Sequence, residues 1–403
     1  MKTLSPCHDT RVVPTIDTKK PLPAAAPVSA PAKPKREQTA DLTRVLLFLG
    51  VVLAHTVTTI NYTPDVIRQT GLISATLHMT RYGFVAVTLF VLVLSMRGRT
   101  MTAPEFWRKR FGLIVVPYLV WTLVYSITDH LLIDGDPFPS FGRWLGDLAR
   151  TTLTGDAKYQ LYFLLISMQI YLFFPALLAL SRKLAGHPWV VLLTAGAIQL
   201  GFFAFYQYFP HPSGQPWDTF FNHAWKLLPM YVLFVAMGML AAQHYEKVGP
   251  WLRAHALRLV AACLAAAAFS LVVYLRATEP GIVPESATTA WNPLYLPWYV
   301  ASTILLWLGA MMWDDLRASG RAVGERAVSY ATVRAFGVFA VHPLMLDILG
   351  KAGFFDLLGT WFPASAILRT ATLALVVLAM SLLFVDVMLR TPISRWVVAR
   401  DRI

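Results

Sequence analysis

The chain is poor in charge for its length. Of its 403 residues only 14% are Asp, Glu, Lys or Arg, against 56% hydrophobic, and its mean hydropathy is +0.54. A soluble domain needs no such excess of apolar sequence, so the composition excludes one and predicts an integral membrane protein. Cysteine is scarce as well. Cys7 and Cys263 are the two in the chain, in environments too different to suggest a disulfide, and no Cys/His spacing suits zinc, so neither a disulfide framework nor a metal is expected. Residues 1–40 lack an apolar run and hence the core of a signal peptide; Pro14, Pro21, Pro23, Pro27, Pro31 and Pro34 among Ala, Ser and Lys mark a disordered cytoplasmic tail instead. No repeat of fixed period is visible, and no domain folded outside the membrane. The net charge of +13 would suggest nucleic acid in a soluble protein. Here the basic residues are distributed by loop, which points to topology and to no nucleic-acid partner.

What the chain does have is a succession of apolar runs. Lys33, Lys35 and Arg36 precede a span over 41–59, and a second run ends near Met96, followed by Arg97, Arg99, Arg108, Lys109 and Arg110. Further spans are expected at about 112–133, 160–180, 189–208, 224–242, 258–275, 294–313, 335–350 and 364–389. Pro117 is placed near the start of the third, where a helix tolerates proline best. The segment 134–158 is the longest connection, 210–223 has no Lys or Arg, and 277–293 is acidic through Glu279 and Glu285. With the tail inside and sides alternating, roughly 26 basic residues fall on the cytoplasmic side and about 9 on the other. The expected fold is all-α: a polytopic bundle of about ten transmembrane helices over 41–403, with both termini cytoplasmic.

The first span carries the clearest chemistry. Arg44 and His55 lie about 16 Å apart along a helix and within about 20° of one azimuth, so they share a face. Arg44 can snorkel to the boundary, whereas His55 is held at membrane depth, where an ionisable residue is costly and marks a protein interior or wet cavity. A histidine there can take and return a proton. Arg108, Lys109 and Arg110, beside Trp107, serve as a topology signal and have the chemistry to hold a phosphorylated cytoplasmic donor. His342 stands before Pro343, so it either acts on substrate or satisfies the carbonyl that the proline frees. Toward the outer side, Asp129, His130, His211 and His223 occur near Trp217, Trp225, Trp291 and Trp298, a mixture suited both to the membrane interface and to a sugar acceptor. Asp386 is expected to pair locally with Arg390.

These residues resemble those of the acyltransferase-3 family of integral membrane acyltransferases. The family's first-span signature, Asp, two residues, Arg, ten residues, His, is matched by Asp41, Arg44 and His55. Similar too are Arg110 seven residues before Pro117-Tyr118, YQLYFLL at 159–165, and GVFAVHPL at 337–344. Leu113 stands where the family commonly has a second arginine, and Gln160 where it often has histidine. The resemblance implies transfer of a small acyl group, typically acetyl from acetyl-CoA, to a hydroxyl of a cell-surface glycan, glycolipid or related metabolite at a cell membrane, as in the bacterial plasma membrane. His55 would be the base, Arg44, Arg108 and Arg110 would hold the acyl-CoA, and His130, His223 and His342 would face the acceptor. No permanently bound cofactor is implied. An exporter of polysaccharide or a small molecule is the alternative, although paired Gly/Pro-broken spans in two corresponding halves are not evident; a membrane scaffold would leave His55 unexplained.

Overall fold

The structure is a computed structural model and describes residues 38–99, 101–133, 135–321 and 323–403. Cys7 and the proposed tail lie outside the described residues except for 38–40, of which Thr39 and Ala40 already belong to the first helix. In chain order the helices are α1 (Thr39–Ile60), α2 (Ile67–Leu77), α3 (Met79–Ser95), α4 (Ala103–Leu132), α5 (Phe141–Thr154), α6 (Tyr162–Lys183), α7 (Pro188–Tyr208), α8 (Trp217–Ala224), α9 (Val232–Gln243), α10 (Tyr245–Ala254), α11 (Ala256–Ala277), α12 (Glu285–Thr288), α13 (Leu296–Ala318), α14 (Glu325–Lys351), α15 (Phe354–Trp361), α16 (Ala366–Met388) and α17 (Ser394–Val397). Ten helical segments among the described residues are long and apolar enough to cross a membrane, and three of them combine shorter pieces: Ile67–Ser95, Trp217–Gln243 and Glu285–Ala318. No strand occurs among the described residues. The protein is a multi-pass α-helical membrane protein, as the apolar runs predict.

The third span begins earlier than its hydropathy suggests. Thr102 and Glu105 form a capping box, which satisfies the first orphan amides and starts α4 at Ala103. Pro117 therefore lies well inside the helix rather than near its start. Within the connection, residues 135–158 are also structured: α5 packs on α4, with the Trp144 indole donating to the Ser126 carbonyl at 3.0 Å.

Helix α1 touches α2, α3, α13, α14 and α16 and so runs through the middle of the bundle. Helices α3 and α9 pack closely, and Gly238 permits it, because a Cβ there would overlap the Ala86 carbonyl. Backbone irregularity at depth is satisfied by side chains. The break between α8 and α9 is held by Gln169, which donates to the Lys226 carbonyl and accepts from the Leu228 amide, and by Gln199, which accepts from the Leu233 amide. Arg97 donates to the Ala242 and Gln243 carbonyls at the end of α9, and Arg68 donates to the Leu275 and Thr278 carbonyls at the end of α11. These two cations cap helix C-termini, where unsatisfied carbonyls concentrate negative potential. Asp386 pairs across helices with Arg334 at 2.5 Å and accepts from the Tyr330 hydroxyl, not with Arg390 as local spacing suggests. The buried Arg334 of the neighbouring α14 offers a better-desolvated partner than an exposed residue one turn away.

Candidate active site

Helices α1 and α14 run side by side from the end of the bundle where the chain enters, here the terminal end. His55 lies sixteen residues into α1 and His342 seventeen into α14, so both are about 24–26 Å along their helices. They meet at that depth. Their rings stack with centroids 5.4 Å apart and planes 28° from parallel, and the Tyr159 ring lies 4.2 Å from His55. The His55 ring has no hydrogen-bond partner among the described residues.

His342 is completely buried. Pro343 has no amide hydrogen to give the Phe339 carbonyl four residues back. The His342 Nδ1–H supplies that bond at 2.9 Å and also faces the Val338 carbonyl at 3.2 Å. A carbonyl only accepts, so Nδ1 carries the proton and Nε2 is left as an acceptor, with no partner among the described residues. The two possibilities open at the sequence level thus coexist in one side chain: one nitrogen mends the helix and the other is free. Gln160, in the position where the resemblance expects histidine, is buried and donates to the Ala340 carbonyl at 3.1 Å beside the Tyr125 hydroxyl, bracing α14 two residues before His342.

Outward from the histidines, Thr59, Leu132, Tyr159, Leu346, Asp347 and Lys351 help to line a cavity of about 210 Å3. It is bordered by a buried charge cluster. Lys158, 7% exposed, lies 2.9 Å from Asp129 and 2.8 Å from Asp347. The next residue is Tyr159, so this cluster fixes the segment that carries the ring over His55.

At the terminal end, Arg44 and Arg110 both lie close enough to Tyr171 to act on its phenol electrostatically. Arg110 donates to the Ser95 hydroxyl at 3.3 Å. Arg108 is exposed, two residues and about 200° around α4 from Arg110, and does not join them. Leu113, in the position where a second arginine is common, is 40% exposed.

The histidines at the far end are not brought to His55. His130 lies 3.0 Å from Asp136 and beside Phe138. His223 faces Asp156 at 2.7 Å through Nε2 and the Thr219 carbonyl at 2.6 Å through Nδ1, so both nitrogens are engaged. Asp156 also receives Lys226. Burial pushes the Asp156 carboxyl up, but hydrogen bonds from Lys226, Thr154 and His223 outweigh it and hold it below the usual carboxylate range.

Sequence reasoning met Tyr159 only as the first residue of YQLYFLL, with no role assigned, and passed over Lys158, Asp347, Lys226, His78 and Arg81. For Arg81 and Lys226 a signal existed. Both lie inside apolar spans, Ile67–Ser95 and Trp217–Gln243, and are not loop charges; an ionisable residue in such a run calls for a named partner. A family model described as an acyltransferase domain matches residues 38–388. No curated protein and no solved structure matches the chain.

Proposed function

Since the chain belongs to the acyltransferase-3 family and is therefore a membrane acyltransferase, we propose that it moves a small acyl group, acetyl in the simplest case, from a cytoplasmic acyl-CoA to a hydroxyl of a glycan or glycolipid on the other side of the membrane. The observation that carries this reading is the stacked pair His55 and His342 in the bundle interior, one ring without a hydrogen-bond partner among the described residues and the other with an open acceptor nitrogen. Acyl transfer to a hydroxyl needs a base of this kind.

The terminal end, with its concentration of Lys and Arg, is the cytoplasmic side by the rule that basic loops stay inside. A bacterial plasma membrane is the setting the resemblance suggests. The donor's phosphates approach Arg44 and Arg110, with Arg108 at the rim, and its thioester extends along α1 toward His55. A long, thin donor suits the roughly 16 Å between Arg44 and His55. The acceptor enters through the cavity at Thr59, Tyr159 and Asp347, whose Tyr159 ring lies against His55. His130 and His223, each engaged with an aspartate, flank outlying parts of that acceptor.

His55 takes the hydroxyl proton as the oxygen attacks the thioester carbonyl. The tetrahedral intermediate collapses with cleavage of the C–S bond, and the departing thiolate receives the proton back from His55. His342 Nε2 accepts a hydrogen bond in the same space and orients the hydroxyl or the imidazole.

The test is transfer of labelled acetyl, propionyl or succinyl from the CoA thioester by membranes expressing the protein, with glycan and lipid fractions as acceptors. His55→Ala at equal expression is expected to lower transfer by about 10²–10⁴-fold, the usual contribution of general base catalysis. Equal silence of wild type and variant with all three donors would sink the reading.

A further inference from the structure

Acyl transfer as written makes no use of Arg81, yet Arg81 stands midway along the Ile67–Ser95 span, where an unpaired charge is costly. The most buried cations have carboxylates: Lys158 has Asp129 and Asp347, Lys226 has Asp156, and Arg334 has Asp386. Among the described residues no Asp or Glu pairs with Arg81. Its guanidinium lies over the rings of Tyr162 at 5.5 Å and Trp225 at 5.8 Å, and the acidic groups that act on it are the phenols of Tyr162, Tyr231, Tyr82 and Tyr299, neutral at ordinary pH. Cation–π contacts of this kind steady a guanidinium without neutralising it.

The arginine is also aimed. The His78 Nε2–H donates to the Thr288 carbonyl at 2.7 Å, which leaves Nδ1 as an acceptor for an Arg81 N–H at 3.2 Å. His78 is the turn residue that separates α2 from α3, and Trp225 stands at the break between α8 and α9. Two interrupted spans thus face each other across Arg81, and irregular backbone at membrane depth is tolerated where protein or a wet cavity surrounds it. Part of the Arg81 side chain stays accessible. Arg81 and His78 also lie near enough to His55 to act on it electrostatically.

We propose that Arg81 anchors a carboxylate-binding subsite, so that one of the two substrates brings a carboxylate to the histidines. The planar fork of arginine matches a carboxylate bidentately. A phosphate dianion would call for a second cation, and Lys226, which shares the Trp225 ring with Arg81, is committed to Asp156. The carboxylate belongs either to the acyl group, as in the half-ester of a dicarboxylic acid, or to the acceptor, as in a uronic acid. Naming these two sources rests on the acyl-transfer reading; the anion subsite itself does not.

Two matched pairs separate the sources, each measured as binding to the purified full-length protein in detergent without turnover: succinyl-CoA against acetyl-CoA, and methyl glucuronide against methyl glucoside. Wild type is expected to bind the anionic member of one pair about tenfold or more tightly than its neutral counterpart, and the pair that responds names the source. Arg81→Gln is expected to level that preference, Arg81→Lys to keep part of it, and His55→Ala to leave it intact. No preference in either pair overturns the proposal, as does a preference undiminished in Arg81→Gln. If Arg81→Gln does not fold, wild type and Arg81→Lys decide. A preference for the anion in a protein that transfers no acyl group would instead count against the acyl-transfer reading and leave the subsite standing.

Discussion

Exposed and buried positive charges are handled in different ways in this bundle. Toward the terminal end, Arg108 and Lys109 are exposed, and the Arg253–Asp315 pair is about half exposed on both sides. Toward the far end, Lys158 and Lys226 are 7% and 5% exposed, and each is bound to aspartate. Water screens the first group, so those residues need no partner and their contribution to stability is small. The second group has lost its water and must be neutralised within the protein. Arg81 belongs to neither population, and this difference is what separates architecture from a site for ligand.

The comparison breaks most visibly if a buried cation is removed. Lys158→Met leaves Asp129 and Asp347 facing each other without a counter-ion, and a loss of about 3–5 kcal/mol is expected, read as a lowered unfolding midpoint in detergent. Transfer should fall as well, because Tyr159 loses its anchor over His55. If Lys158→Met proves as mild as a surface substitution, pairing is not what holds the far end together. Asp386→Asn is the next test. It removes the charge opposite Arg334 but keeps an acceptor for Tyr330, so about 1.5–3 kcal/mol is expected, whereas Arg390→Ala should leave the midpoint within about 0.5 kcal/mol.

Much of this was legible in the sequence where one helix decides the outcome. The apolar runs locate all ten spans, and the face shared by Arg44 and His55 follows from helical period alone. The helix-mending role of His342 follows from Pro343 and the four-residue offset of the helical hydrogen bond. What was not legible depends on which helices become neighbours. Stacking of His342 on His55 requires α1 and α14 to lie parallel at one depth, and the partner of Asp386 sits 52 residues away in sequence. The start of α4 was misjudged for a local reason: hydropathy sees the apolar run but not the capping box, which extends the helix through its basic first turns. Arg81 was legible in principle, since an arginine inside an apolar run is conspicuous, but its aromatic surroundings come from three other spans.

The finest distinction is between two arginines of one helix. Arg110 is half-buried and converges with Arg44 on Tyr171, whereas Arg108, two residues earlier, projects from the opposite side of α4 into solvent. Both carry the same charge, so a donor held by the general potential of the basic end would lose either one at similar cost. A donor gripped by direct charge-assisted hydrogen bonds would not. Arg110→Gln is expected to raise the KM for acyl-CoA about tenfold, or about 1.4 kcal/mol, with kcat changed little, because the phosphates are remote from the reacting carbonyl. Arg108→Gln is expected to change KM by no more than about twofold, and that small effect should fade with added salt as surface electrostatics do. Equal effects from the two variants would mean that the phosphates are attracted to this end without being seated there, and the convergence of Arg44 and Arg110 would then have a structural meaning only.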